Sequence, residues 1–151
     1  MKNRWIVAAC AAVCWTASAQ TTAPYAPAPE NLQARTAVQD AKFGIFLHWG
    51  LYSMPARHEW VRHNEEITHE DYQKYFDHFN PDLFDPGAWA EMARKAGMKY
   101  FVITTKHHEG FCMWDSKYTD YKVTRTKCGR DLLREVVDAF RAAGIRVGFY
   151  Y

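Results

Sequence analysis

No block of like charge runs through this 151-residue sequence: 19 Lys and Arg stand against 17 Asp and Glu, spread along the chain, for a formal net charge of +2. That removes the usual electrostatic signature of a nucleic-acid or anionic-membrane partner. No apolar run approaches the ~20 residues needed to cross a bilayer. Cysteine is scarce, four in all, and no C-x-x-C, H-x-H or H-E-x-x-H spacing occurs, so no recognised metal-ligand pattern is present. A Gly-x-Gly-x-x-Gly fingerprint is also missing, which removes the main signal for dinucleotide binding. The rest is ordinary in amount: 48% hydrophobic and 24% charged residues, enough for a packed core. Aromatics are the exception at 16%, with six Trp and nine Tyr. Most are expected to be bulky core residues, and a few are candidates for stacking on a ligand.

The first residues read as a leader. Met1-Lys2-Asn3-Arg4 is short and positive, Trp5 to Trp15 is apolar but too short to span a bilayer, and Ala17-Ser18-Ala19 is a small-residue cleavage site. Residues 1–19 are therefore expected to be a signal peptide cut before Gln20, giving an exported product, periplasmic or extracellular, with no membrane association after cleavage. An uncleaved anchor and a lipoprotein box at Val7-Ala8-Ala9-Cys10 fit the short apolar run less well. Cys10 and Cys14 leave with the leader. Cys112 and Cys128 remain in a compartment that permits a disulfide, and bridged, free or paired elsewhere all stay open. Residues 20–31 are a Pro/Ala-rich linker, and folded sequence is expected over 32–151.

Within that stretch, residues 31–41 read as a short helix. The apolar run Lys42 to Leu47 fits a strand buried on both faces. Residues 51–67 have no period and read as loop. Thr68 caps a short helix to about Phe79. Asp85 caps the next, with Pro86 at its first position, Trp89, Met92, Ala93 and Ala96 on its apolar face, and Gly97 closing it. Met98 to Thr105 is a second strand. After a polar loop to Gly129, Arg130 to Ala143 is a third helix, burying Leu132, Leu133, Val136, Val137 and Phe140, and Ile145 to Tyr151 a third strand. This alternation implies right-handed parallel crossovers and an α/β fold. A doubly wound sheet and a β/α barrel both begin so. The missing glycine fingerprint favours the barrel, as do the polar and aromatic residues at the strand ends: His48-Trp49, His107-His108-Glu109 and Tyr150-Tyr151. Three strands do not close a barrel, and the last would be left with an open edge. The sequence is therefore expected to be a fragment of a longer chain.

The chemistry-bearing residues lie at those strand ends. His107 and His108 are adjacent, so on a continuing strand only one would point inward; a bend after Lys106 would turn both. The plain alternative is two polar residues capping a strand. His48, His107, His108 and Glu59 are also good metal ligands by type. Glu59, in the long first loop, is a solvated charge on the plainest reading. Beside Trp60 and facing two histidines it becomes a hydroxyl-binding carboxylate next to a stacking indole. Glycoside hydrolysis needs two flanking carboxyl groups, and nothing local makes Glu59 and Glu109 such a pair.

Lys42-Phe43-Gly44-Ile45-Phe46-Leu47-His48-Trp49-Gly50-Leu51-Tyr52-Ser53-Met54-Pro55-Ala56 resembles the opening motif of glycoside hydrolase family 29, the α-L-fucosidases. Glu59-Trp60 resembles that family's Glu-Trp element, with Val61 where Tyr is common. Phe79-Asn80-Pro81 and Phe84-Asp85 resemble its next block. Lys106-His107-His108-Glu109-Gly110-Phe111 resembles its Lys-His-His-Asp-Gly-Phe signature, with Glu109 in place of the usual Asp. Trp114-Asp115-Ser116, Arg130-Asp131-Leu132 and Gly148-Phe149-Tyr150-Tyr151 follow in order, so the likeness covers nearly everything from about residue 32 onward.

The resemblance implies an α/β fold that is the N-terminal portion of a (β/α)8-type (TIM-like) barrel, truncated after the third strand. It implies hydrolysis of terminal α-L-fucosyl linkages of glycans with retention, by double displacement and without metal or cofactor. His48, Glu59, Trp60, His107, His108 and Tyr150 would line the fucose pocket. Phe46 is added from position as part of an apolar wall for the sugar's methyl group. The nucleophilic Asp and the acid/base would lie further along, so no catalytic residue is expected here and the fragment should be inactive. The expected partner is a fucosylated glycan or oligosaccharide. Two alternatives stand beside this: a secreted metal-dependent hydrolase using His48, His107 and His108, and a non-catalytic fucose-binding module.

Overall fold

The computed structural model describes residues 25–151. The expected leader and residues 20–24 of the linker lie outside the described residues. Helix α1 (Pro29–Ala41) is followed by strand β1 (Gly44–Leu47), a 3-10 turn (Leu51–Ser53) and the single-turn helix α2 (Val61–Asn64). Then come α3 (His69–His78), α4 (Pro86–Lys95), β2 (Tyr100–Thr104), α5 (Leu132–Ala142) and β3 (Arg146–Tyr150).

The three strands form one parallel sheet in the order β1-β2-β3. Gly44 pairs with Tyr100 and Leu47 with Ile103, while Tyr100 pairs with Arg146 and Thr104 with Tyr150. The α/β alternation is therefore as expected. An open three-stranded parallel sheet is compatible with the start of a barrel and with a doubly wound sheet alike.

Local chemistry sets the helix limits. Thr68 accepts from the Asp71 N–H at 3.0 Å, Asp85 from Ala88 at 2.9 Å and Asp131 from Arg134 at 2.9 Å. Each satisfies an N–H that the first helical turn leaves without a partner. Helix α5 thus starts at Leu132, after its Asp131 cap, and not at Arg130. Helix α1 starts at Pro29, inside the stretch read as linker. The first loop is not wholly irregular, because it contains the 3-10 turn and α2.

The core lies between β2 and the α4–α5 pair. Phe101 of β2 stacks on Phe140 of α5 with ring centroids 3.9 Å apart. Leu132, Val136, Val137 and Phe140 of α5 are buried as the period predicts, whereas Leu133 is only half-buried. On α4 the buried residues are Ala90 and Ala93. Met92 is 67% exposed, so the apolar face of α4 is rotated from the one expected.

Paired residues of parallel strands share a face. Ile45, Phe101, Ile103 and Val147 therefore turn toward the helices. Gly44, Phe46, Val102, Gly148 and Tyr150 line the opposite face. A Cβ at Gly44 would lie 2.5 Å from the Tyr100 side chain and from its carbonyl oxygen. Only glycine lets β1 approach β2 this closely.

Candidate functional site

All three strands end on the same side, and the side chains singled out at the sequence level gather there. His48 directly follows β1, Tyr150 ends β3, and His107-His108 follow β2 after the bend at Thr105-Lys106. Ring centroids lie 5.5 Å apart for His48–His107, 5.8 Å for His48–Tyr150 and 6.1 Å for His107–Tyr150. Phe46, on the uncovered sheet face, is 4.6 Å from His48 and 5.6 Å from Tyr150.

The first loop supplies the opposite wall. Trp60, directly ahead of α2, lies over His108 with centroids 3.3 Å apart and meets His107 edge-on at 5.8 Å. Both histidines thus turn into one cluster, with their rings 4.5 Å apart and nearly perpendicular. His107 is buried, while His48 and His108 are exposed. Glu59 is half-buried. Its carboxyl sits below the usual range, first through a hydrogen bond from its own backbone N–H, then through the neighbouring His48 and His107.

Two cavities flank the Trp60–His108 stack. A polar one of about 870 Å³ is lined by Glu59, Trp60, Arg62, His63, His108 and Glu109, among others. A smaller one of about 250 Å³ is lined by Lys106, His107, His108, Tyr150 and Tyr151. The six predicted residues are therefore brought together, and Phe46 joins them.

Beneath the rim lie residues that the sequence reading did not single out. The Thr104 hydroxyl, buried at the end of β2, accepts from the Trp49 N–H at 3.0 Å. It is also 2.8 Å from the Tyr52 hydroxyl. These bonds tie the chain after β1 to β2, and the Tyr52 ring supports His107 at 5.1 Å. The inward parity of Thr104 along its strand was the available signal.

Glu109, noted in the sequence because it stands where the resembled signature has Asp, lies beneath the rim as well. Its carboxyl lies beneath Gly50, where a Cβ would stand 3.3 Å from Oε1. Burial pushes it up to about 7. Burial, then the adjoining His108 and His48, lower the pKa of His107. Glu109 Oε2 is 3.8 Å from His107 Nδ1, both side chains being 3% exposed. Nδ1 has no hydrogen-bond partner, nor do the buried hydroxyls of Tyr72 and Tyr121. An orphaned buried polar atom costs about 1–3 kcal/mol, so this neighbourhood gives up stability that an apolar filling would keep.

Among the described residues no group of three His, Cys, Asp or Glu side chains is arranged to hold a metal ion, so the alternative of a three-histidine metal centre has no ligand set here. Cys112 and Cys128 are both free thiols, the first buried.

A rim of hydrogen-bonding and stacking rings at the carboxyl ends of parallel strands is how α/β enzymes build ligand sites. The chain belongs to the α-L-fucosidase family, whose model, described as Alpha-L-fucosidase, matches residues 12–151. It is 35% identical to human tissue α-L-fucosidase over 153 residues, 88% of this chain and 33% of that protein. With the tissue α-L-fucosidase of Bos taurus it shares 36% over 129 residues, covering 74% and 28%. Among solved structures it resembles α-L-fucosidase isoenzyme 1 from Paenibacillus thiaminolyticus at 60% identity and TM-score 0.78, over 80% of this chain and 28% of that one. It also resembles a Bacteroides thetaiotaomicron family 29 α-L-fucosidase trapped as a covalent intermediate with 2-fluoro-fucosyl fluoride. There the identity is 42% and the TM-score 0.75, covering 78% and 29%. The chain spans about a third of the length of the curated relatives it matches.

Proposed function

We propose that this chain is the sugar-binding opening of an exported α-L-fucosidase that hydrolyses terminal α-L-fucosyl linkages of glycans with retention. The observation that carries the reading is the single cluster formed by His48, Trp60, His107, His108 and Tyr150 at the strand ends, with Glu59 beside it. The imidazoles, the Glu59 carboxylate and the Tyr150 hydroxyl bond ring hydroxyls. Trp60 and Phe46 offer apolar faces to the C–H surface and the methyl group of fucose. The β1-β2-β3 sheet is the first part of a β/α barrel that closes with sequence beyond Tyr151. That sequence brings the nucleophilic carboxylate and the acid/base, and the reaction proceeds by double displacement through a glycosyl-enzyme intermediate. The trapped covalent intermediate of the Bacteroides relative supports this course. No metal or cofactor takes part, the partner is a fucosylated glycan, and residues 1–19 are removed on export.

The test is hydrolysis of p-nitrophenyl α-L-fucoside by the full-length gene product beside residues 1–151 alone. Turnover by the first and none by the second is expected. A full-length protein that leaves this substrate intact overturns the reading. A mature protein whose N-terminus is not Gln20 overturns the cleavage assignment.

A further inference from the structure

Resting on the reading that the histidine pair faces a fucosyl ring, we propose that Glu109 is a positioning residue: its carboxyl donates a hydrogen bond to Nδ1 of His107, keeping the imidazole proton on Nε2 as the donor offered to a sugar hydroxyl.

The geometry supplies both halves of that bond. Nδ1 of His107 is buried and unpartnered. Glu109 Oε2 stands 3.8 Å away, a few tenths of an ångström beyond hydrogen-bond distance. With both side chains 3% exposed, bulk water serves neither group. The other nearby ring of the pocket floor is engaged elsewhere, since the Tyr52 hydroxyl is bound to Thr104 at 2.8 Å.

The surroundings favour an uncharged pair. Around Glu109 stand Tyr52 from the 3-10 turn, Tyr72 from α3 and Tyr121 from the loop after β2, none of them a cation that would hold it ionised. Arg62 of α2 is the cation that opposes it. On the His107 side stand His48, His108 and Glu59. Burial holds Glu109 up to about 7 and lowers His107, so both shifts favour the uncharged forms, a carboxylic acid facing a neutral imidazole. An acid O–H and a bare Nδ1 are complementary, and an imidazole with one nitrogen accepting must carry its proton on the other. No atom moves between groups in this step; it fixes which nitrogen presents a proton.

The experiment is 15N NMR of the full-length protein labelled at histidine, at pH 6.5, with the His107 signals assigned by loss in His107→Asn. The expected result is an unprotonated Nδ1 and a protonated Nε2. Glu109→Gln, whose amide also donates, keeps that pattern. Glu109→Met, of similar length without a donor, mixes the tautomers and raises the KM for an aryl fucoside ~10-fold, about the worth of one hydrogen bond, with a smaller change in kcat. A side chain that only filled space would leave the tautomer alone. A proton on Nδ1 in the unmodified protein overturns the proposal, as does a Glu109→Met protein with unchanged tautomer and KM. Should Glu109→Met not fold, the Nδ1 signal in the spectrum of the unmodified protein decides: an accepted hydrogen bond moves it upfield of the free unprotonated nitrogen, and a signal at the free value overturns the proposal. That spectrum is read without turnover, so an inactive full-length protein would remove the fucosidase reading and leave the tautomer result standing.

Discussion

On the face of the sheet that the helices cover, Phe101 stacks on Phe140, and Ile103, Val136 and Val137 are buried in the same cluster without a polar side-chain atom. At the end of that strand and just beyond it, Thr104, His107 and Glu109 are nearly as deeply buried, yet they are polar, and Nδ1 of His107 has no hydrogen-bond partner. The first region follows volume and contact, and another well-shaped apolar set would serve it. The second keeps polar groups at a cost. Such groups persist only where their chemistry is used, because a buried donor or acceptor without a partner destabilises the fold.

Breaking the first region should cost the most. Phe140→Ala removes a stacked ring from a closed core and is expected to destabilise the full-length protein by about 3–5 kcal/mol in denaturant unfolding. The inhibition constant for fucose of the folded fraction should not change. A matching loss of fucose affinity would mean that core and rim are not separable.

The second region should show itself through pH. Glu109 has a folded-state pKa of about 7 against an unfolded value of 4.5. The folded state therefore binds the proton more tightly. Its favourable contribution is complete below the unfolded pKa and is lost as pH rises from about 4.5 to 7. The loss is on the order of 3 kcal/mol at most. Glu109→Gln should flatten this slope, becoming more stable relative to the unmodified protein at pH 8 while differing little at pH 4. Thermal melts across that range check it, and parallel pH profiles would show that Glu109 is ionised in the fold.

The smallest effect is expected in binding. His107→Ala should weaken fucose as a competitive inhibitor by about 1–3 kcal/mol, the worth of one hydrogen bond in a shielded pocket. An unchanged constant would take His107 out of the pocket and leave it a core residue.

The same division governs what the sequence disclosed. The strand–helix alternation, the Thr68 and Asp85 caps and the buried stripe of α5 are local patterns, and the structure has them. Met92 shows the limit. Its spacing fits the apolar face of α4, but α4 meets its neighbours through Ala90 and Ala93, and helix rotation is a tertiary choice. Strand β2 begins at Tyr100 because Met98 instead closes the helix end, its N–H bonding to the Ala93 carbonyl at 3.0 Å. Helix α2 has too few residues to carry a period. At the site, six rim residues were legible because they follow strand ends or match a motif. Thr104, Tyr52 and the buried setting of Glu109 were not, since each depends on which distant backbone lies against it.

Gly44 carries a consequence for mutational tolerance. It touches no proposed ligand, yet it precedes His48 by one strand length, and any Cβ there would collide with Tyr100. In a library varying residues 42–50 it should behave as a gauge block: every larger residue would shift the whole first strand, and the histidine at its end would lose alignment without itself having been altered.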